Sequence, residues 1–363
     1  MSLKSSTHNH PVVQQIIPFL PLKAQIVKKG FLGKHLSLTG SPRYPGAATF
    51  PAMAALKMGV DLTYLLLPPE EQLLLISRMK SNDFMVSSLP FYFEIEKPKI
   101  DFKSYTNNMT SIVYGPGLSR ITDAAYKYND AARGFYKKTV LSQLNIILES
   151  LNQPYTIPLV IDADGLFLIT QNENESKDKE ELKWFKEVKS MITEILKIGH
   201  NRIILTPNET EYKYLLRTIT DKVYNVDSQN NALMCIVKGS TDKIGYLSNS
   251  GFEQILECEI EGGLKRCGGL GDALTGCLTS LLGWVEQSNK GAVIGKEVYL
   301  QTAFTGCAIM RKASKQAFEK HGISTVAEDV ISCIPSARDE ILGDFINRTV
   351  NIHSIADDKI TKI

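Results

Sequence analysis

Short apolar, β-branched runs that stop at a glycine or a polar turn recur along this chain, and that pattern leaves few folds open. They are residues 35–40, 62–67 before Pro68-Pro69, 111–114 before Gly115-Pro116-Gly117, 156–161 before Asp162-Ala163-Asp164, 202–205 before Thr206-Pro207-Asn208, and 234–237 before Lys238-Gly239. They are too short for helices and lack the alternation of half-exposed strands, so they read as parallel strands buried on both faces. Residues 47–59 read as a helix, small and apolar on one face, with Gly59 past its end. The expected fold is α/β: a central, mostly parallel sheet flanked by helices on both faces. Ligands of such sheets bind beyond the carboxyl ends of the strands, where the polar residues just named fall.

The 363 residues are 43% hydrophobic, enough for one large core. We expect an N-terminal extension over 1–27, one catalytic domain over 28–345 and a polar tail over 346–363. The charged stretch 171–189, with Trp184 and Phe185, reads as a solvated loop and helix inserted between two strands. With 41 basic and 39 acidic residues, the net charge of +2 gives no reason to invoke nucleic acid or an anionic membrane. The tyrosines and phenylalanines are too scattered for a base-stacking platform. None of the six cysteines forms a CxxC pair or a zinc pattern, and they read as reduced residues of a cytosolic protein. No run is long enough to cross a bilayer, and there is no signal core. Asp61 is the first acidic residue, as in organelle-import peptides, but Arg43 is the only arginine before it. The cytosol is therefore the expectation and a mitochondrial copy the alternative. The oligomeric state stays open, self-association included.

The densest chemical signal is Gly262-Gly263-Leu264-Lys265-Arg266-Cys267-Gly268-Gly269-Leu270-Gly271-Asp272. Ala273, Leu274, Cys277, Leu278, Leu281, Leu282 and Val285 follow at helical spacing. A glycine-rich turn opening a helix is an anion site, because free N–H groups point outward and the helix dipole favours negative charge. Asp272, in the first turn, is placed to act as a general base, and the helix N-terminus is expected to keep it ionised. The competing reading makes Asp272 a helix cap; the glycine density and Arg266 weigh against it. The stretch is neither a Walker loop nor GxGxxG. Elsewhere the structural readings stay open: Asn208 and Glu211 as a cap and first-turn acid, Lys238-Gly239 as a strand end, Asp162 and Asp164 as turn residues.

Taken together these stretches resemble the ATP-dependent NAD(P)H-hydrate dehydratases, a branch of the ribokinase-like superfamily, over roughly residues 28–340. Gly40-Ser41 with Tyr44 and Gly46-Ala47, then Ala54-Ala55-Leu56 and residues 59–62, look like the family's N-terminal substrate-side motif. Gly115-Pro116-Gly117-Leu118 is similar to its GPGLG loop, residues 162–166 to DADGL, residues 205–208 with Glu211 to LTPNxxE, and Lys238-Gly239 with Asp242 to KGxxD. All occur in the family's order. Ser119 stands where GPGLG ends in glycine, Pro45 where threonine is common, and Leu270 where glutamine is frequent.

The resemblance implies a hydro-lyase of nicotinamide nucleotide repair. ATP, with Mg²⁺, phosphorylates the ring hydroxyl of the S-epimer of hydrated NADH or NADPH, and loss of phosphate restores NAD(P)H. It implies Asp272 as the base and residues 268–271 as the phosphoryl-stabilising turn. Nucleotide binding is implied for Lys238, Gly239, Ser240, Thr241 and Asp242, and for Gly262, Gly263, Leu264, Lys265, Arg266, Cys267, Gly268, Gly269, Leu270 and Gly271. Substrate binding is implied for Gly117, Asn208, Glu209, Thr210, Glu211, Tyr212, Lys213 and Tyr214, together with Asp272. Glu211 is expected to order Mg²⁺ through water. The alternatives are a small-molecule kinase of the same superfamily, acting on a hydroxymethylpyrimidine or thiazole alcohol, and a catalytically dead nucleotide-binding scaffold. The sequence does not choose between ATP and ADP, or between the two hydrates.

Overall fold

A computed structural model describes residues 10–21, 29–68, 83–89, 103–153, 157–171, 178–198, 202–226, 232–288 and 294–343, apart from residues 42, 124, 125, 127, 128 and 225. The strands are β1 (Lys34–Leu38), β2 (Leu62–Leu67), β3 (Phe84–Ser88), β4 (Ser111–Tyr114), β5 (Leu159–Ile161), β6 (Ile203–Leu205), β7 (Leu233–Val237), β8 (Asp242–Ser248) and β9 (Gly251–Cys258). The helices of more than one turn are α1 (Pro45–Met58), α2 (Asp130–Leu151), α3 (Asp164–Thr170), α4 (Lys179–Ile198), α5 (Glu209–Thr220), α6 (Leu270–Ser288), α7 (Lys296–His321) and α8 (Ala327–Leu342).

The strands form one sheet in the order β3-β2-β1-β4-β5-β6-β7-β8-β9. All pairs from β3 to β7 are parallel, and β8 and β9 add an antiparallel hairpin. Strand order therefore reverses between β1 and β4, the kind of switch point beside which open α/β sheets bind ligands. The sequence had shown the parallel strands; β3 and the hairpin had escaped it. Along β5, Leu159 and Ile161 face one core and Val160 the other, as the two-residue period of a strand requires. The first core packs beneath α2, α3, α4 and α5. The second packs beneath α1, α6, α7 and α8.

Helix α4 corrects the reading of residues 171–189 as solvated decoration. Trp184, Phe185, Val188, Ile192, Ile195 and Leu196 are buried in the first core, with the charged residues between them outward. Its charge count hid an amphipathic stripe; residues 172–177 lie outside the described residues. Likewise Val13, Ile16 and Leu20, within the stretch expected to be an extension, are buried in the second core. Among the described residues no helix is long and apolar enough to cross a membrane.

His35, on β1, is fully buried among hydroxyls. Its Nε2 lies 2.8 Å from Ser37 Oγ and its Nδ1 3.1 Å from Thr279 Oγ1 on α6. Burial pushes its pKa down from 6.5 to about 3. The neutral ring is thus favoured in the folded state, and its contribution is complete above the unfolded value and lost as pH falls from 6.5 towards about 3. The loss should reach roughly 3 kcal/mol by about pH 4.5. Urea unfolding of wild type and His35→Gln at about pH 7.5 and about pH 4.5 should show the difference between them shrinking by that amount. A difference independent of pH would contradict the neutral buried imidazole.

Candidate active site

Five parallel strands deliver their carboxyl ends to one region. Gly40, beyond β1, donates its N–H to Pro116 O at 2.7 Å, joining the two sides of the switch point. Beyond β7, Lys238 donates its N–H to Pro207 O at 2.8 Å, joining the turns after β6 and β7. The Lys238 ammonium donates to Asp162 Oδ1, beyond β5, at 2.6 Å. Burial works against that charge, but Asp162, by attraction and the hydrogen bond, and then Glu211 and Asp272 outweigh it and raise the lysine pKa. Strained backbone holds the acids here. Ala163 has φ 49 and ψ −117, and the turn points Asp162 at Lys238 and Asp164 at Arg120.

Over this ion pair sits the glycine stretch, which does two different jobs. Gly262 and Gly263 pack on α7: a Cβ at Gly263 would stand 2.4 Å from Ser314 O, and Gly263 N–H donates to Ser314 Oγ at 2.9 Å. Gly268 is open, with nothing within 4 Å of where a Cβ would be. Gly269 has φ +92, and a Cβ there would meet the Phe50 ring at 2.5 Å, so a side chain would displace the turn before it reached a ligand. Gly271 abuts the ion pair, its hypothetical Cβ 3.0 Å from Lys238 Nζ. Ala273 N–H, bonded to Gly269 O at 2.9 Å, is the first inside the helix. The amides of Leu270, Gly271 and Asp272 therefore lack helical partners, as a helix start requires. Leu264 is 83% exposed. Lys265 Nζ donates to Ile323 O, and Arg266 is exposed.

Asp272 lies in the first turn of α6. Its pKa is raised to about 7, first by burial and then by Asp162, with Asp164 and Glu211 adding and Lys238 opposing. This departs from the expectation that the helix N-terminus keeps it ionised: burial and the neighbouring carboxylates raise the value, and Lys238 offsets them only in part. An acid poised near neutrality is better matched to taking and returning a proton.

The substrate-side residues divide. Asn208 and Glu211 form a capping box on α5: Asn208 Oδ1 accepts from Thr210 and Glu211 amides at 2.9 and 3.0 Å, and Glu211 Oε2 from Asn208 N–H at 2.9 Å. Capping does not remove Glu211 from the site, since it interacts with Asp272, Lys238, Asp162 and Arg120. Tyr212 turns away, edge-on to Phe252 of β9, and Tyr214 is 64% exposed. Thr210 and Lys213 are exposed. Glu209 Oε1 lies 3.5 Å from where a Gly239 Cβ would stand. Consecutive residues on a helix fan around its axis, so the seven do not share one pocket wall. Gly117, with φ +67, is required by packing: a Cβ would stand 2.5 Å from Ala47 Cβ.

Residues 238–242 form a turn braced from α7 by Arg311, which sequence reading missed. Arg311 Nε donates to Asp242 Oδ2 at 2.6 Å, Nη1 to Ser240 O at 2.7 Å and Nη2 to Gly239 O at 3.1 Å. Asp242 Oδ1 accepts from Gly239 N–H at 3.2 Å. Both Asp242 oxygens thus serve the turn itself, while Thr241 Oγ1 donates to Glu257. No spacing in the sequence links Arg311 to a turn so far upstream. Ser119 explains its own departure from glycine: it adopts φ +66, the conformation glycine would take, with its Oγ 3.0 Å from Ser41 Oγ and its N–H bonded to Asp164 Oδ2 at 2.9 Å.

Comparisons with known proteins bear on the family and the fold. A family model described as NAD(P)H-hydrate dehydratase matches residues 36–336. An ATP-dependent (S)-NAD(P)H-hydrate dehydratase of Pediculus humanus subsp. corporis is 30% identical over 338 residues, 91% of this chain and 97% of that protein. The Homo sapiens protein of the same name is 28% identical over 348 residues, covering 93% of this chain and 85% of its own. Among solved structures, an ADP/ATP-dependent NAD(P)H-hydrate dehydratase from Bacillus subtilis, co-crystallized with ATP/Mg²⁺, superposes with TM-score 0.53 at 15% identity, covering 91% of this chain and 97% of that one. A ribokinase-like superfamily protein from Enterococcus faecalis superposes equally well, with TM-score 0.53 at 14% identity and coverage of 91% and 95%. Those likenesses carry the fold; the family model, running from β1 through the sheet and the glycine turn into α8, makes this chain a member of the NAD(P)H-hydrate dehydratase family.

Proposed function

We propose that this enzyme uses ATP to dehydrate the S-epimer of hydrated NADH or NADPH, returning NAD(P)H, ADP and phosphate. The observation that carries the reading is the place of Asp272 in the first turn of α6, beside amides that lack helical partners and near the Lys238–Asp162 pair, with burial pushing its pKa up to about 7. Hydroxide is a poor leaving group and phosphate a good one. Asp272 takes the proton of the ring hydroxyl as that oxygen attacks the terminal phosphorus of ATP. The amides of Leu270 and Gly271, with the Lys238 ammonium, hold the charge of the transferring group. The ring nitrogen then expels phosphate, and loss of the neighbouring ring proton restores the dihydropyridine.

Mg²⁺ would enter on the phosphates of ATP and neutralise their charge. The described residues contain no group of three or more His, Cys, Asp or Glu set to hold a metal. Mg²⁺ is a hard ion that keeps its waters and takes few protein carboxylates. Glu211, with Oε2 committed to the cap, keeps Oε1 for such a water.

Incubation with hydrated NADH, Mg²⁺ and either ATP or ADP tests the reading. Near-ultraviolet absorbance should return with one phosphate released per turnover, and the faster nucleotide is the donor. A stable phosphate ester with no absorbance would mark the protein as a kinase instead, and no turnover would mark it as a binding scaffold.

A further inference from the structure

Arg120, immediately after the glycine turn of β4, is held in a way the reaction at Asp272 does not use. Its Nε donates to Asp164 Oδ1 at 2.9 Å, and its guanidinium lies 4.4 Å from the centroid of the Phe167 ring. Asp164, the anchor, is buried and is itself fixed by Ser119 N–H at 2.9 Å. The guanidinium plane is thus set from one edge and one face. Among the described residues neither Nη atom has a partner, and the side chain is 42% exposed. A fork with fixed Nε and open Nη groups is preorganised for a phosphate.

A second cation stands on the same turn. Arg43, just before α1, lies 3.4 Å from Asp123 Oδ2, the oxygen that also accepts from Arg120 N–H at 3.1 Å. Both arginines therefore flank the β1–β4 switch point, next to Gly117 and Tyr44. The interior of the site is acidic, with Asp162, Asp164, Glu211 and Asp272 against Lys238. The ATP phosphates belong at the glycine turn of α6, beside Lys238. A dinucleotide substrate brings a diphosphate of its own, and with Lys238 engaged by Asp162 and assigned to the ATP phosphates that diphosphate needs separate cations.

We infer that Arg120, held by Asp164 and Phe167 and assisted by Arg43, binds the diphosphate of the hydrated dinucleotide on the switch-point side of the site. This rests on the dehydratase reading for the identity of the substrate. Arg120 is then a binding and positioning residue: it fixes the dinucleotide so that the ring hydroxyl reaches Asp272.

The test is binding of NADH, the reaction product, measured by calorimetry alongside ATP, because it needs no turnover. Arg120→Gln should weaken NADH at least about tenfold, the scale of one charge-assisted contact, with ATP affinity unchanged. The KM for hydrated NADH and hydrated NADPH should rise by the same factor. Because Arg120→Gln leaves Asp164 without its cation, Arg120→Gln/Asp164→Asn serves as a second variant that removes both charges and should show the same NADH loss. Wild-type NADH affinity in either folded variant overturns the inference. So does an equal loss of ATP affinity, or a KM rise confined to hydrated NADPH, which would assign Arg120 to the ribose phosphate. Absence of dehydration by the wild type would refute the proposed reaction, while the NADH titrations would still decide the role of Arg120.

Discussion

Asp272→Asn should lower kcat by about 10²–10⁴-fold, the usual cost of losing a general base, while ATP affinity holds or improves. Asparagine keeps the shape and can stay at the start of α6, so the fold should survive. ATP gains because a negative charge near its phosphates is gone. The wild-type rate should rise with pH through about 7, the value to which burial and then Asp162 lift Asp272. Because the Asp162 charge raises that value, Asp162→Asn should move the limb to lower pH. A pH profile of kcat/KM, which reports the free enzyme, on the two proteins checks both directions. Near-normal turnover of Asp272→Asn would remove the base from the mechanism. Unfolding with no specific catalytic loss would make it a cap.

Arg311→Met should destabilise the fold by about 3–5 kcal/mol, the range for breaking a buried ion pair by removing one partner. Asp242 is 7% exposed and would be left charged beneath the turn, and the carbonyls of Gly239, Ser240 and Ile260 would lose their donor. Since the turn begins at Lys238, the KM for ATP should rise with the loss of stability. Asp242→Asn in the same chain should restore much of the stability, because the buried charge goes with its partner. Denaturant unfolding of the single and double variants forms the cycle. Additive losses would mean that the two residues act separately.

Much of this protein was legible beforehand, for reasons that lie in particular residues. Ser111–Tyr114 is buried on both sheet faces, and a strand in that position needs an uninterrupted apolar run, which is visible in one dimension. Gly59 closes α1 with φ +114, a conformation glycine reaches without strain. β9 was not legible: it is an edge strand, mostly open to solvent, and Glu253, Gln254 and Glu257 break the apolar run that marks the buried strands. Helix α4 was misread because its charges dominate the stretch although they face water, while Trp184 is buried and donates to Lys137 O at 3.2 Å.

The same division runs through the site. The sequence by itself determined that a glycine turn opens a helix carrying Asp272, and that polar turns follow the strands at 156–161, 202–205 and 234–237, because both follow from local backbone and burial rules. Only the tertiary structure decided what those residues do to one another. Lys238 meets Asp162 across strands β7 and β5, Arg311 reaches from α7 to brace the 238–242 turn, and Arg120 docks on Asp164 and Phe167. It also set the proton affinity of Asp272, which a helix dipole argument had placed too low. Electrostatic coupling depends on distance and burial in three dimensions, and neither quantity is written in the spacing of residues along a chain.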